Sequence, residues 1–175
     1  RAGAAAAELI MKRLEDAGVE QRRVTLLVGP GNNGGDALAC ACELREKGAV
    51  VNVVLPGGRR PTSALALAQL ERWTQAGGTT YDDPYMTEKA DCVVDGLFGT
   101  GLAKPITGDY LDAVLWFNER QALKVSLDIP SGLNPVTGHW TGSYPGCSAD
   151  VTITFLCVKS GLYMCEGADA AGEIV

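Results

Sequence analysis

A single histidine, His139, serves the whole 175-residue chain. No serine has an evident histidine partner, so a serine hydrolase triad is disfavoured. Six cysteines are present, Cys40, Cys42, Cys92, Cys147, Cys157 and Cys165, but none forms C-x-x-C. With one histidine to join them, a structural zinc site is disfavoured as well. Cys40 and Cys42 stand two apart on a predicted helix and point in different directions, so the thiols are expected to be free, as in a reducing cytosol. There is no dense Lys/Arg cluster and the net charge is -6, which argues against a nucleic-acid groove. No apolar run reaches membrane-spanning length. The opening "RAGAAAAELIMKRLEDAG" is interrupted by Glu8 and Lys12 and reads as an amphipathic helix ended by Gly18, not as a signal peptide. A cytoplasmic protein is expected, with no nucleic-acid or membrane partner. The chain starts on Arg1 and stops inside the strand-like "GEIV", as expected of an excised or processed piece.

Hydrophobic residues make up 46% of the chain, enough for one sizeable core and one domain. Glycine is plentiful, with 22 residues against 8 prolines, so many positions can take positive φ or allow close backbone approach. Strand and helix signals alternate. "VTLLVG" (24–29) is a short apolar run of the kind buried in parallel sheets. A helix is predicted from about Gly34 to Lys47, closed by Gly48. "VVNVVL" (50–55) is a strand, and 61–78 is a helix opened by proline and closed by Gly-Gly. "DCVVDGLFGTG" (91–101) is a strand entering a glycine-rich loop. Residues 108–122 form a helix with Leu111, Val114 and Leu115 on one face. "KVSLDIPSG" (124–132) runs from a strand into a turn, and "DVTITF" (150–155) is the last clear strand. This alternation predicts an α/β architecture, a mainly parallel sheet with helices on both faces. Ligands then bind beyond the carboxyl ends of the strands, where the loops 29–36, 95–105 and 128–132 all fall.

Each loop has two readings. G-x-G-x-x-G at Gly29, Gly31 and Gly34 is either a tight turn that packs helix on strand or a phosphate cradle at a helix N-terminus. Asn32, Asn33 and Asp36 add polar groups that favour binding, although Asp36 also suits a helix first turn. The next strand ends "VVLPGG" (53–58) without the acidic residue that holds a ribose hydroxyl in ordinary dinucleotide folds. No Gly-Lys-Ser/Thr follows, so a P-loop fails too. Asp95 ends an apolar strand, where a carboxylate is costly unless paired or coordinated; it either caps local turn amides or holds a ligand. Gly99, Thr100 and Gly101 suit an anion, and Lys104 offers positive charge. Asp128 closes another strand, with Pro130 biasing Ile129 towards extended backbone. His139 reads as a loop surface residue, and Lys159 either lines the site or solvates a loop.

Together "GPGNNGGDALA", "DGLFGTGL", "LDIPSGLNPVTG" and "ADVTITFLCVKSGL" resemble the NAD(P)H-hydrate epimerase family, the YjeF N-terminal domain, in that family's order and over nearly the whole chain. The resemblance implies a three-layer αβα Rossmann-like fold and one such domain over 1–175, with the family's flanking segments missing at both ends. It implies interconversion of the R and S epimers of NADHX and NADPHX, nicotinamide cofactors hydrated at ring carbon 6. By residue match, Asn32, Asn33, Gly34, Gly35 and Asp36 would bind the hydrated cofactor. So would Gly99, Thr100, Gly101, Leu102, Ala103, Lys104 and Pro105, and Asp128 would contact it as the acid/base. Asn33, Asp95 and Ser131 would ligate one K+ per subunit; an amide oxygen, a carboxylate and a hydroxyl are hard donors suited to a hard cation. Lys104 stands where the family commonly has Arg, which keeps the charge and loses the bidentate fork. A homodimer and a fused or separate ADP/ATP-dependent dehydratase are also implied. The rival readings are a nicotinamide-dependent dehydrogenase and a non-catalytic nucleotide-binding or scaffold module of the same fold.

Overall fold

The computed structural model describes residues 2–175; Arg1, at the head of the "RAG" opening, lies outside them. Among the described residues seven strands form: β1 (Arg23–Val28), β2 (Val50–Val54), β3 (Thr80–Tyr81), β4 (Cys92–Gly96), β5 (Leu123–Leu127), β6 (Val151–Ile153) and β7 (Glu173–Ile174). They make one sheet in the order β3-β2-β1-β4-β5-β6-β7, and every strand pairing is parallel. The helices are α1 (Ala2–Asp16), α2 (Asn32–Glu46), α3 (Ala64–Gln75), α4 (Asp109–Glu119) and α5 (Cys165–Ala170).

Alternate residues of β1, β2 and β4 feed two different cores, as the period of two requires. Val24, Leu26 and Val28 of β1 join Val53, Val94 and Leu127 under Ile10 and Leu14 of α1, Leu38 and Leu44 of α2, and Leu70 and Trp73 of α3. On the opposite face, Leu27, Val54 and Val93 pack against Val114, Trp116 and Phe117 of α4. Each buried aliphatic side chain is worth about 1.5–3 kcal/mol, so both faces are held by burial. The result is a three-layer αβα fold of Rossmann-like form.

The α4 stripe departs from the expected one. Leu115 is exposed and Leu111 only half-buried, whereas Ala113, Val114, Trp116 and Phe117 are buried. The spacing i, i+3, i+4 from Ala113 defines the inward face, and Leu115 falls outside that arc. α2 begins at Asn32, two residues earlier than predicted, and Gly48 at φ 88 closes it as expected. α3 is shorter than 61–78; the Ser63 side chain caps it, accepting from the Ala66 amide at 3.3 Å. The two-residue strand β3 and the short helix α5 carry too little pattern to be read from sequence.

The strand order reverses direction between β1 and β4. β2 and β3 extend one way from β1, and β4 to β7 extend the other. The loops leaving β1 and β4 therefore diverge, opening a crevice at the carboxyl ends of the two strands. The Gly29 amide donates to the Gly96 carbonyl at 3.0 Å and ties the floor of that crevice.

Candidate functional site

The glycines of the first loop are explained by packing. A Cβ on Gly29 would collide with the Leu97 carbonyl, and one on Gly34 would collide with the Gly29 carbonyl. A Cβ on Gly35 would stand 3.2 Å from Ala66 Cα on α3. Close backbone approach thus demands glycine at 29 and 34, whereas at 35 a Cβ would ask α3 to give by a few tenths of an ångström. Gly31 differs: a Cβ there would meet nothing within 4 Å, and the residue lies on the wall of a cleft of about 740 Å³.

That cleft occupies the crevice between the diverging loops. Asn32, Asn33 and Asp36 line it from the first turns of α2, and Gly99, Thr100, Gly101, Leu102, Ala103 and Lys104 line it from the loop after β4. Asp128 lines it from the end of β5. Gly34 and Gly35 are buried behind this wall, and Pro105 faces a neighbouring cavity with Ile106 and Trp140. Asp95 and Ser131 lie beneath the cleft, both fully buried.

Asp128 sits in a strained backbone position. Its φ is 68, and the Ile129 amide donates to the Leu127 carbonyl across it at 2.8 Å, a γ-turn of the rare positive-φ kind. The same device recurs one strand away. Leu156 has φ 63, and the Cys157 amide donates to the Phe155 carbonyl at 2.7 Å. A non-glycine residue in this region costs about 1–3 kcal/mol, and such strain clusters at functional sites. Both turns border the cleft, because Phe155 and Leu156 line it as well.

Lys159 joins the two turns. Its ammonium pairs with Asp128 Oδ1 and donates to Thr154 Oγ1 at 2.9 Å and to the Phe155 carbonyl at 2.8 Å. All three donors of the ammonium are thereby used. The pair is largely buried, with 12% of the lysine and 18% of the aspartate side chain exposed. The other carboxylate oxygen, Oδ2, faces Gly99: a Cβ there would stand 3.1 Å from it and 3.6 Å from Asn33 Cγ. Asp36 lies in the same field. Burial, and then repulsion from Asp128, push its carboxyl above the ordinary carboxylate range.

A family model described as YjeF-related protein N-terminus matches residues 1–161. The chain belongs to this family. An NAD(P)H-hydrate epimerase of Cenarchaeum symbiosum is 39% identical over 168 residues, covering 92% of this chain and 75% of that protein. One of Bordetella pertussis is 38% identical over 175 residues, covering 99% of this chain and 75% of that protein. A bifunctional NAD(P)H-hydrate repair enzyme of Leishmania infantum is 37% identical over 159 residues, covering 88% of this chain. The chain spans only 28% of that enzyme's length. Among solved structures, yeast ynu0 superposes with a TM-score of 0.79 at 24% identity, over 94% of this chain and 72% of that one, which establishes the shared fold.

The buried polar groups beneath the YjeF-family cleft can be tested against a cation. Asp95 accepts four hydrogen bonds: at Oδ1 from the Leu97 amide (3.1 Å) and Ser131 Oγ (2.6 Å), at Oδ2 from Ser126 Oγ (3.0 Å) and the Ser131 amide (2.8 Å). It does cap local amides. Burial still pushes its carboxyl upward, against the pull of those bonds. Asn33 is 7% exposed, yet neither its amide oxygen nor its amide nitrogen has a hydrogen-bond partner among the described residues. An orphaned buried amide costs about 1–3 kcal/mol, so an absent partner is expected at that oxygen. Asn33, Asp95 and Ser131 fit a hard cation in donor type and burial.

Lys159 was left open between site and solvent by the sequence, and Phe155 and Leu156 carried no chemical signal at all. What brings Lys159 to Asp128 is the adjacency of β5 and β6, a tertiary fact. The one sequence clue was a lone lysine shortly after an apolar strand.

Proposed function

We propose that this chain interconverts the R and S epimers of NADHX and NADPHX. The observation that carries the reading is Asp128, held in a strained turn by Lys159 at the wall of a dinucleotide-sized cleft at the switch point of the sheet. The names of the archaeal and bacterial relatives, which cover most of this chain, point the same way. A dehydrogenase reading is weakened at β2, which ends at Val54 and is followed by Leu55 and Pro56, where a ribose-binding carboxylate would be needed.

In this reading the amides at the start of α2 and the Gly99–Gly101 turn receive the pyrophosphate, and Lys104, exposed at the rim, adds positive charge. The ring nitrogen's lone pair expels the carbon 6 hydroxyl, which takes a proton relayed from the Lys159 ammonium through Asp128, so that water leaves. Asp128 stays a carboxylate, hydrogen-bonded to Lys159 on Oδ1 and set to stabilise the iminium through Oδ2. Water returns to either face of carbon 6 and gives its proton back by the same route. General acid–base assistance of this kind is worth about 10²–10⁴-fold. Asn33, Asp95 and Ser131 would hold one potassium ion, which supplies positive charge that offsets the buried carboxylate and helps an acidic protein hold pyrophosphate. A cytoplasmic homodimer, working beside or fused to an ADP/ATP-dependent dehydratase, completes the reading.

The test is incubation of separated NADHX epimers with the protein, followed by chromatography. Accelerated R–S exchange is expected, with a loss of about 10² or more in Asp128→Asn. No acceleration would sink the proposal. For the ion, potassium should raise the melting temperature over lithium in the wild type and not in Asn33→Ala.

A further inference from the structure

A second constellation of reactive side chains lies outside the cleft. His139 Nδ1 is 2.7 Å from Glu166 Oε2, and His139 Nε2 is 3.4 Å from Cys165 Sγ. Loop 134–139 and α5 bring them together: the Gly167 amide donates to the Gly138 carbonyl at 3.0 Å, which docks the first turn of α5 beside His139. All three residues are exposed and none lines the cleft.

The order of contacts is acid, imidazole, thiol. Glu166 is kept ionised, first by its own backbone N–H and then by the His139 ring. A carboxylate on Nδ1 fixes the ring proton there and leaves the Nε2 lone pair facing sulfur. That is the arrangement by which an imidazole removes a proton from a nucleophile. One ligand atom from each of the three residues also lies within 4.8 Å of the others, so a metal ion is the competing occupant. The contacts present, carboxylate to Nδ1 and sulfur to Nε2, are those of a proton-transfer chain.

We propose that Cys165, His139 and Glu166 form an activated-thiol site that reacts with small-molecule disulfides. His139 Nε2 takes the Cys165 proton. The thiolate electron pair then forms a new S–S bond to one sulfur of the disulfide. The old S–S bond breaks, and its electron pair leaves on the other sulfur as a thiolate. The site is independent of the epimerase reading and stands or falls without it.

Cys157 supplies the control within the same chain. It is the other exposed cysteine, and its sulfur has no hydrogen-bond partner among the described residues; Cys40, Cys42, Cys92 and Cys147 are buried. The probe is 5,5′-dithiobis(2-nitrobenzoate) at neutral pH, followed by thiolate release and by peptide mapping of the modified cysteine. An ordinary thiol is only a few per cent thiolate at pH 7, so Cys165 should react at least about 10-fold faster than Cys157. His139→Gln should bring Cys165 to the rate of Cys157, and Glu166→Gln should slow it part of the way, with Cys157 unchanged in both. Unreactive buried cysteines report an intact fold; should either variant loosen the protein, the wild-type ratio still decides. Equal rates at Cys165 and Cys157 in the wild type would overturn the proposal. So would stoichiometric zinc binding by the chelator-stripped protein that His139→Gln abolishes, because the pair would then be a metal site.

Discussion

Lys159→Met removes the ammonium that bridges two strained turns while keeping most of the side chain's apolar volume. Asp128 then loses its partner in a setting where only 18% of its side chain reaches water. Breaking a buried pair from one side costs about 3–5 kcal/mol. The residual exposure places this pair near 3 kcal/mol, and the lost donors to Thr154 Oγ1 and the Phe155 carbonyl add about 1 kcal/mol more. At ~2–4 °C per kcal/mol for a chain of this size, the melting temperature should fall by roughly 8–16 °C. Asp128→Asn should cost less, since the ammonium keeps Thr154 and Phe155 and gains an amide oxygen. Urea unfolding of the wild type, both single variants and the double variant closes a thermodynamic cycle. A coupling of about 1.5–3 kcal/mol is expected between the two residues. Additivity within about 0.5 kcal/mol would refute the reasoning, because the contact would then contribute nothing beyond its separate parts.

Gly34→Ala should lower the unfolding free energy by about 1–3 kcal/mol or more, since its Cβ meets the rigid Gly29 backbone. Gly31→Ala should change stability by less than about 1 kcal/mol and weaken binding of the proposed NADHX substrate measured by calorimetry, because its Cβ would meet no protein atom at the cleft wall. Asp36→Asn should raise the melting temperature at neutral pH. The folded carboxyl binds its proton more tightly than the unfolded one, so its ionisation destabilises the fold as pH rises through the raised value. The gain should shrink as pH falls and vanish once the carboxyl is protonated in both states; a constant gain across that range would show that charge is not the cause.

The apolar strands, the glycine closures and the alternation with helices were legible because a parallel sheet buried on both faces imposes them locally. "VTLLVG" and "VVNVVL" admit few other structures, and Gly18 and Gly48 end helices because the chain needs positive φ there. The α4 face was misread at Leu115, since an exposed leucine has the same letter as a buried one. Gly29, Gly34 and Gly35 stood out in the sequence, but that the first two serve close backbone packing and the third packs on α3, while Gly31 is the one of the four that faces the cleft, required coordinates.

The sequence by itself determined the fold class and which loops bear polar groups, because periodicity and punctuation are properties of neighbouring residues. Only the tertiary structure decided what those groups face. The strand order sets β5 beside β6 and so delivers Lys159 to Asp128. It leaves the Asn33 amide buried without a partner among the described residues, and it turns a loop histidine towards Cys165 and Glu166. The physical reason is that a hydrogen bond or ion pair depends on separations of a few ångströms between residues tens of positions apart, and only the packed chain fixes those separations.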